Sequence, residues 1–199
     1  GRAVLLYHVE RMNEESANAL LKVMEEPPEG VLFLLTADSL ASVLPTIRSR
    51  CVSFAVAPVS PADCTRYCAA QGVDKKTAAL YSELFDGHIG TVLAVARDEV
   101  RAAQVEKALE LARAAAARDS YTAAVLLAAY EKDKAAASAL LTDFRAVAAA
   151  GLRSSPRAPV QGTQARQAVR LADAALQRLG AQVNPKVVLS VFAAKLRTL

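Results

Sequence analysis

Ala3-Val4-Leu5-Leu6-Tyr7 and Val31-Leu32-Phe33-Leu34-Leu35-Thr36 are two short apolar runs, and the residues between them decide the fold. Asn13 reads as a helix N-cap with Glu14 and Glu15 in the first turn, where a side-chain oxygen and negative charge satisfy the free amides. Ala17, Leu20, Leu21 and Met24 then recur at i, i+3, i+4 and i+7, the stripe of an amphipathic helix. Pro27-Pro28 ends that helix, because proline has no N–H to give and its ring clashes with the preceding turn. Glu29-Gly30 turns the chain into the second run, which is apolar throughout, as in a buried parallel strand. A third strand is expected at residues 52–56. Strand, helix, strand, connection, strand is the tail of an α/β sheet.

Pro58 and Pro61 mark a boundary, and beyond it the pattern is helical only. Ser60-Pro61-Ala62-Asp63 is a helix start, with proline at the first helical position. Gly72 closes that helix, Asp74 opens the next, which runs to about Phe85, and residues 86–90 break the chain before a third short one. Residues 98–199 carry further apolar stripes: Val105, Leu109, Ala112 and Ala116; then Leu140, Phe144 and Val147, ended by Gly151. After a Ser/Pro/Arg-rich loop, Val169, Ala172, Leu176 and Leu179 form another, capped by Gly180. Asn184-Pro185 starts the last helix, with Val188, Phe192 and Leu196 on one side. The expected fold class is α/β plus all-α, in three parts: residues 1–57, 58–97 and 98–199.

With 53% apolar residues, 22% charged residues and a mean hydropathy of +0.21, the chain is expected to bury a core rather than stay disordered. No apolar run approaches the roughly 18 residues of a membrane span, and the start, Gly1-Arg2, has neither methionine nor a signal-peptide pattern. The first strand begins at once, so an internal fragment of a longer protein is expected. Cys51, Cys64 and Cys68 are an odd set without a second pair of ligands, so no metal is expected and the thiols read as reduced. The net charge of +4 is uneven: residues 145–199 hold nine Lys/Arg against Asp173 alone. Such an excess suits nucleic acid or an acidic partner, and equally a set of solvated helix faces.

Four motifs carry a resemblance. Glu10-Arg11-Met12-Asn13, Ala17-Asn18-Ala19-Leu20-Leu21-Lys22, Glu25-Glu26-Pro27-Pro28 and Leu44-Pro45-Thr46-Ile47-Arg48-Ser49-Arg50-Cys51 resemble the bacterial DNA polymerase III clamp-loader family. The resemblance covers the first 51 residues; the rest agrees in layout only. It implies the C-terminal part of an AAA+ (RecA-like) domain at residues 1–57, a three-helix lid at 58–97 and a helical collar for oligomerisation at 98–199.

Within that family the resemblance points to the δ′ type, which does not hydrolyse ATP. ATP-hydrolysing members end this strand with two acids; here Tyr7 and His8 stand there, and Glu10 reads as structural. Their lid arginine has become Gly90 in Gly87-His88-Ile89-Gly90. No Gly-rich phosphate loop with Lys-Ser/Thr occurs in these residues; it would lie upstream. On residues alone Arg50 reads as a loop arginine paired with a nearby acid. The resemblance instead implies an arginine finger acting in trans on a neighbour's ATP, with Arg48, Ser49 and Cys51 shaping its loop before a strand start.

The chain itself is then expected to lack ATPase and polymerase activity and to need no cofactor. Its implied partners are the γ/τ and δ subunits, the sliding clamp and primer-template DNA, in the cytoplasm and with no membrane. The alternatives are a motor γ/τ-type subunit, a non-enzymatic helical scaffold, and an enzyme using His8 and Glu10, which lacks a supporting nucleophile or metal set.

Overall fold

The computed structural model describes every residue except Pro58, so the boundary expected at that proline lies outside the described residues. The chain forms two compact units, Gly1–Ala57 and Pro58–Leu199.

In the first unit, β1 (Arg2–Leu6) and β2 (Val31–Leu35) pair in parallel, Arg2 opposite Val31 and Leu6 opposite Leu35. Parallel neighbours need a crossover, and α1 (Glu14–Glu25) supplies it. Asn13 caps α1 by accepting from the Ser16 N–H at 2.8 Å. Leu6 and Leu35 turn one face of the pair toward Ala17, Leu20, Leu21 and Met24 of α1, and Val9, Val43 and Ile47 complete this small core. The opposite face follows from the period of two: Leu5, Leu32 and Leu34 point away from it and are 51%, 58% and 48% exposed. The second strand is parallel but only half-buried, contrary to the expectation of a buried one.

A second correction concerns residues 52–56. They form no strand; they run without ladder bonds, and Val52, Phe54 and Val56 are exposed. A strand exists by its hydrogen-bonded partner, and neither β1 nor β2 offers one here. Ahead of this segment, the one-turn helix α2 (Pro45–Arg48) buries Ile47 in the small core.

The second unit holds α3 (Pro61–Ala70), α4 (Lys75–Leu84), α5 (Ile89–Arg97), α6 (Glu99–Ala116), α7 (Ser120–Ala128), α8 (Lys134–Leu152), α9 (Gly162–Gly180) and α10 (Pro185–Leu196). Ser60, Asp74 and Asn184 cap α3, α4 and α10 with their side-chain oxygens. One core runs through all of it: Val92 and Val95 of α5 and Val105 of α6 belong to the same buried cluster as Phe144 and Leu196. Phe144 and Phe192 meet edge to face with ring centres 5.4 Å apart.

Gly151 does not end α8, which continues to Leu152. A Cβ there would sit 1.9 Å from the Val160 carbonyl oxygen, so glycine lets the following loop close against the helix. By length and composition α8 is apolar enough to cross a membrane. Half of its apolar stretch is buried, and it carries Asp143 and Arg145, which fits a core helix. Asp143 is buried and takes both terminal nitrogens of Arg101 from α6, one of them at 2.5 Å. Glu83 near the end of α4 holds the loop after α8, accepting from Ser155 Oγ at 2.7 Å and from Arg157 Nε at 3.1 Å.

Candidate functional site

β1 delivers Tyr7 and His8 to its C-terminal tip. Tyr7 is exposed, and His8 takes a left-handed backbone (φ 55°) that turns the chain into the short 3-10 turn Val9–Arg11. The ladder continues past the strands, Thr36 N–H to the Leu6 carbonyl at 2.9 Å, and the His8 N–H donates to Thr36 Oγ1 at 3.2 Å. His8 Nδ1 lies 3.1 Å from Glu10 Oε1 and 3.7 Å from Asp38 Oδ1. Glu10 is nearly buried, and its Oε2 has no hydrogen-bond partner among the described residues. Burial pushes the Glu10 carboxyl up, but its own backbone N–H and the His8 ring pull it further down, to a net value below the usual range.

One nitrogen and two carboxylates within 4.8 Å of one another are donors of the kind that hold a divalent transition ion. Of the three, only His8 and Glu10 are hydrogen-bonded to each other, and His8 and Asp38 are open to solvent. The sequence reading paired His8 with Glu10 and missed Asp38. Only the parallel register brings residue 38 to residue 8, and nothing local in the sequence signals it.

The Arg50 loop is built differently. Pro45 starts α2, buried Ile47 pins it, and Ser49 Oγ donates to the Thr46 carbonyl at 3.0 Å. The chain then turns, Arg50 N–H to the Ile47 carbonyl at 3.0 Å and Cys51 N–H to Arg48 at 3.3 Å. No strand follows, so Arg50 lies on a turn and not at a strand start. Its Nε donates to Glu25 Oε1 at 2.8 Å, Nη2 donates to the same oxygen, and Nη1 donates to the Thr46 carbonyl at 2.9 Å. Arg48 is exposed without an ion-pair partner among the described residues, and burial raises the Cys51 thiol above its ordinary value.

The structure does not bring Arg50 to His8 and Glu10. α1 starts just after the β1 tip and ends at Glu25, so the two groups are separated by the helix, about 18 Å at 1.5 Å per residue. Arg50 is held at the C-terminal end of α1, whereas His8 and Glu10 precede its N-terminal end.

In the second unit, Gly87 has φ +72°, and a Cβ would stand 1.6 Å from the Val59 carbonyl oxygen, so only glycine fits. His88 Nδ1 lies 2.7 Å from the Phe85 carbonyl oxygen. Gly90, at the start of α5, faces open space and has no such constraint.

Residues 1–60 match the family model described as "DNA polymerase III, delta subunit". The chain is 44% identical over 66 residues to DNA polymerase III subunit delta′ of Yersinia pestis, covering 33% of this chain and 19% of that one. It is 54% identical over 50 residues to the delta′ subunit of Haemophilus influenzae (25% and 15% covered). It is 37% identical over 62 residues to the gamma subunit of Buchnera aphidicola from Schizaphis graminum (31% and 17% covered). Each match thus spans less than a fifth of the relative. Among solved structures, a DNA polymerase III gamma subunit-related protein from Thermotoga maritima superposes with a TM-score of 0.55 at 22% identity, covering 98% of this chain and 72% of that one. At 22% identity that likeness shows the fold alone, an α/β part followed by helices, and it is the first sixty residues that are similar to DNA polymerase III clamp-loader subunits.

Proposed function

We propose that this chain is a δ′-type clamp-loader subunit, a stator that does not hydrolyse ATP and whose Arg50 serves the nucleotide of a neighbouring subunit. The observation that carries the reading is the separation just described: the loop arginine sits a helix length from its own strand tip, and that tip carries Tyr7 and His8 where two acids would hold Mg²⁺. Gly90 is compatible with it, since a Cβ there would meet nothing within 4 Å and the backbone does not demand glycine. A guanidinium stays charged and forks to phosphate oxygens, and an arginine finger is worth roughly 10³–10⁵ in hydrolysis rate.

On this reading residues 58–97 act as the lid and 98–199 as the collar that docks beside other subunits, γ/τ and δ. The assembly acts in the cytoplasm, opening the sliding clamp and placing it on primer-template DNA. The test uses the full-length protein in a clamp loader reconstituted with its motor subunits. Arg50→Ala should lower clamp- and DNA-stimulated ATP hydrolysis and lower nucleotide binding less, and Arg50→Lys should not restore it. Wild-type hydrolysis by Arg50→Ala would overturn the finger.

The gamma relatives favour a second reading, a motor subunit. It requires acids at positions 7 and 8 or substitutes for them, and it predicts ATP turnover by the full-length chain alone.

A further inference from the structure

We infer that Glu25 is a positioning residue for Arg50: it fixes the guanidinium so that its remaining N–H groups face outward for a phosphate. The inference rests on the finger reading above. Glu25 Oε1 accepts from Nε at 2.8 Å and also from Nη2, and the Thr46 carbonyl accepts from Nη1 at 2.9 Å. Ser49 Oγ also accepts from Nη1 at 3.4 Å, so Nε and both terminal nitrogens each have a partner, and the side chain is still 35% exposed. The carboxylate grips one edge of the fork, the carbonyl a second point, and N–H groups are left for an incoming anion.

The placement of Glu25 makes little sense for stability alone. It is the last residue of α1, where the helix dipole is negative and an acid is in the wrong place. Glu26 follows, and then Pro27-Pro28 stop the helix, so the carboxylate is held at a fixed point. A half-exposed ion pair contributes little to folding. For a reaction that depends on where a charge stands, the same pair matters: a free arginine on a turn samples many rotamers, and a displaced catalytic group forfeits rate. Arg50 also gains locally, because a cation at the C-terminal end of α1 meets the favourable pole of the dipole.

The test is a double-mutant cycle in the reconstituted clamp loader with full-length protein, reading kcat and KM of clamp- and DNA-stimulated ATP hydrolysis. The variants are Arg50→Ala, Glu25→Gln, Glu25→Ala, Glu25→Asp and the double Glu25→Ala/Arg50→Ala. Glu25→Gln is the isosteric control against misfolding, and assembly is checked by gel filtration. Glu25→Ala and Glu25→Gln should each lower kcat about tenfold with little change in KM, since a misplaced group slows chemistry. Glu25→Asp, which keeps the charge, should recover part of the loss. The double variant should be no slower than Arg50→Ala. Wild-type kcat in Glu25→Ala and Glu25→Gln beside a slow Arg50→Ala overturns the role of Glu25 and leaves the finger standing. A double variant slower than Arg50→Ala means that Glu25 acts other than through Arg50, which also overturns it. Wild-type rates in Arg50→Ala remove both.

Discussion

Replacing Arg101 by alanine should destabilise the helical unit more than replacing its partner Asp143, although the two form one ion pair. The asymmetry follows from burial. The Asp143 side chain is 4% exposed and that of Arg101 is 31% exposed. Removing Arg101 strands a carboxylate inside the packing of α8, and an unpaired buried charge costs about 3–5 kcal/mol. The space vacated by the long arginine side chain admits water, which puts the expected loss near the lower end, about 3 kcal/mol. Removing Asp143 leaves a guanidinium that solvent already reaches, and the loss should be nearer about 1–2 kcal/mol. For a unit of this size 3 kcal/mol lowers Tm by about 10 °C. The assay is urea and thermal unfolding followed by circular dichroism. The double variant Arg101→Met/Asp143→Leu, which removes both charges and keeps apolar volume, should recover most of the loss. The reasoning is refuted if Arg101→Ala unfolds within about 0.5 kcal/mol of wild type or if Asp143→Ala costs as much as Arg101→Ala.

Gly87→Ala should destabilise by more than about 1 kcal/mol in the same unfolding assay, because φ is positive there and the Val59 carbonyl occupies the Cβ position, whereas Gly90→Ala should be neutral or stabilising. Asp74 and Asp119 both have carboxyls held below their ordinary value of 3.8, Asp74 chiefly by the Thr77 backbone N–H and Asp119 chiefly by the Thr122 hydroxyl. Their contribution is therefore complete above the unfolded value and is lost as pH falls through the lower folded one; unfolding titrations between pH 5 and about 2 should show that loss, flattened in Asp74→Asn and Asp119→Asn. Burial first, and then Cys64, push the Cys68 thiol up to about 11, so a thiol reagent at pH 8 should label Cys51 well before Cys64 and Cys68, which should react only on unfolding.

The fold was legible where its causes are local. Asn13, Ser60, Asp74 and Asn184 read as N-caps because a short polar side chain before an apolar stripe has one good use, and each accepts the expected amide. Helix α7 was not legible, since Ser120–Ala128 is apolar nearly all round and offers no stripe; Tyr121 and Val125 stand in solvent. Residues 52–56 have the composition of a strand, but composition specifies a preference and pairing requires a partner elsewhere in space. Gly151 was read as a stop because glycine commonly ends helices, whereas its cause is the Val160 carbonyl, nine residues on.

The same division runs through the candidate site and explains what the sequence withheld. Arg50 was legible as a residue of interest from its motif, while its partner Glu25 lay inside another motif with nothing to connect the two. Asp38 was likewise invisible until the register of β1 and β2 set it beside His8. Pairs separated by 25 to 30 residues are products of the βαβ path: the crossover helix carries Glu25 away from one strand tip, and the parallel return carries Asp38 back to it. That path sorts the titratable groups to opposite ends of α1. A unit sorted this way has a guanidinium tied to Glu25 at one end and His8, Glu10 and Asp38 gathered at the other. Under the proposed function the arginine at one end would complete a site on another subunit, and Glu25 would steady it there.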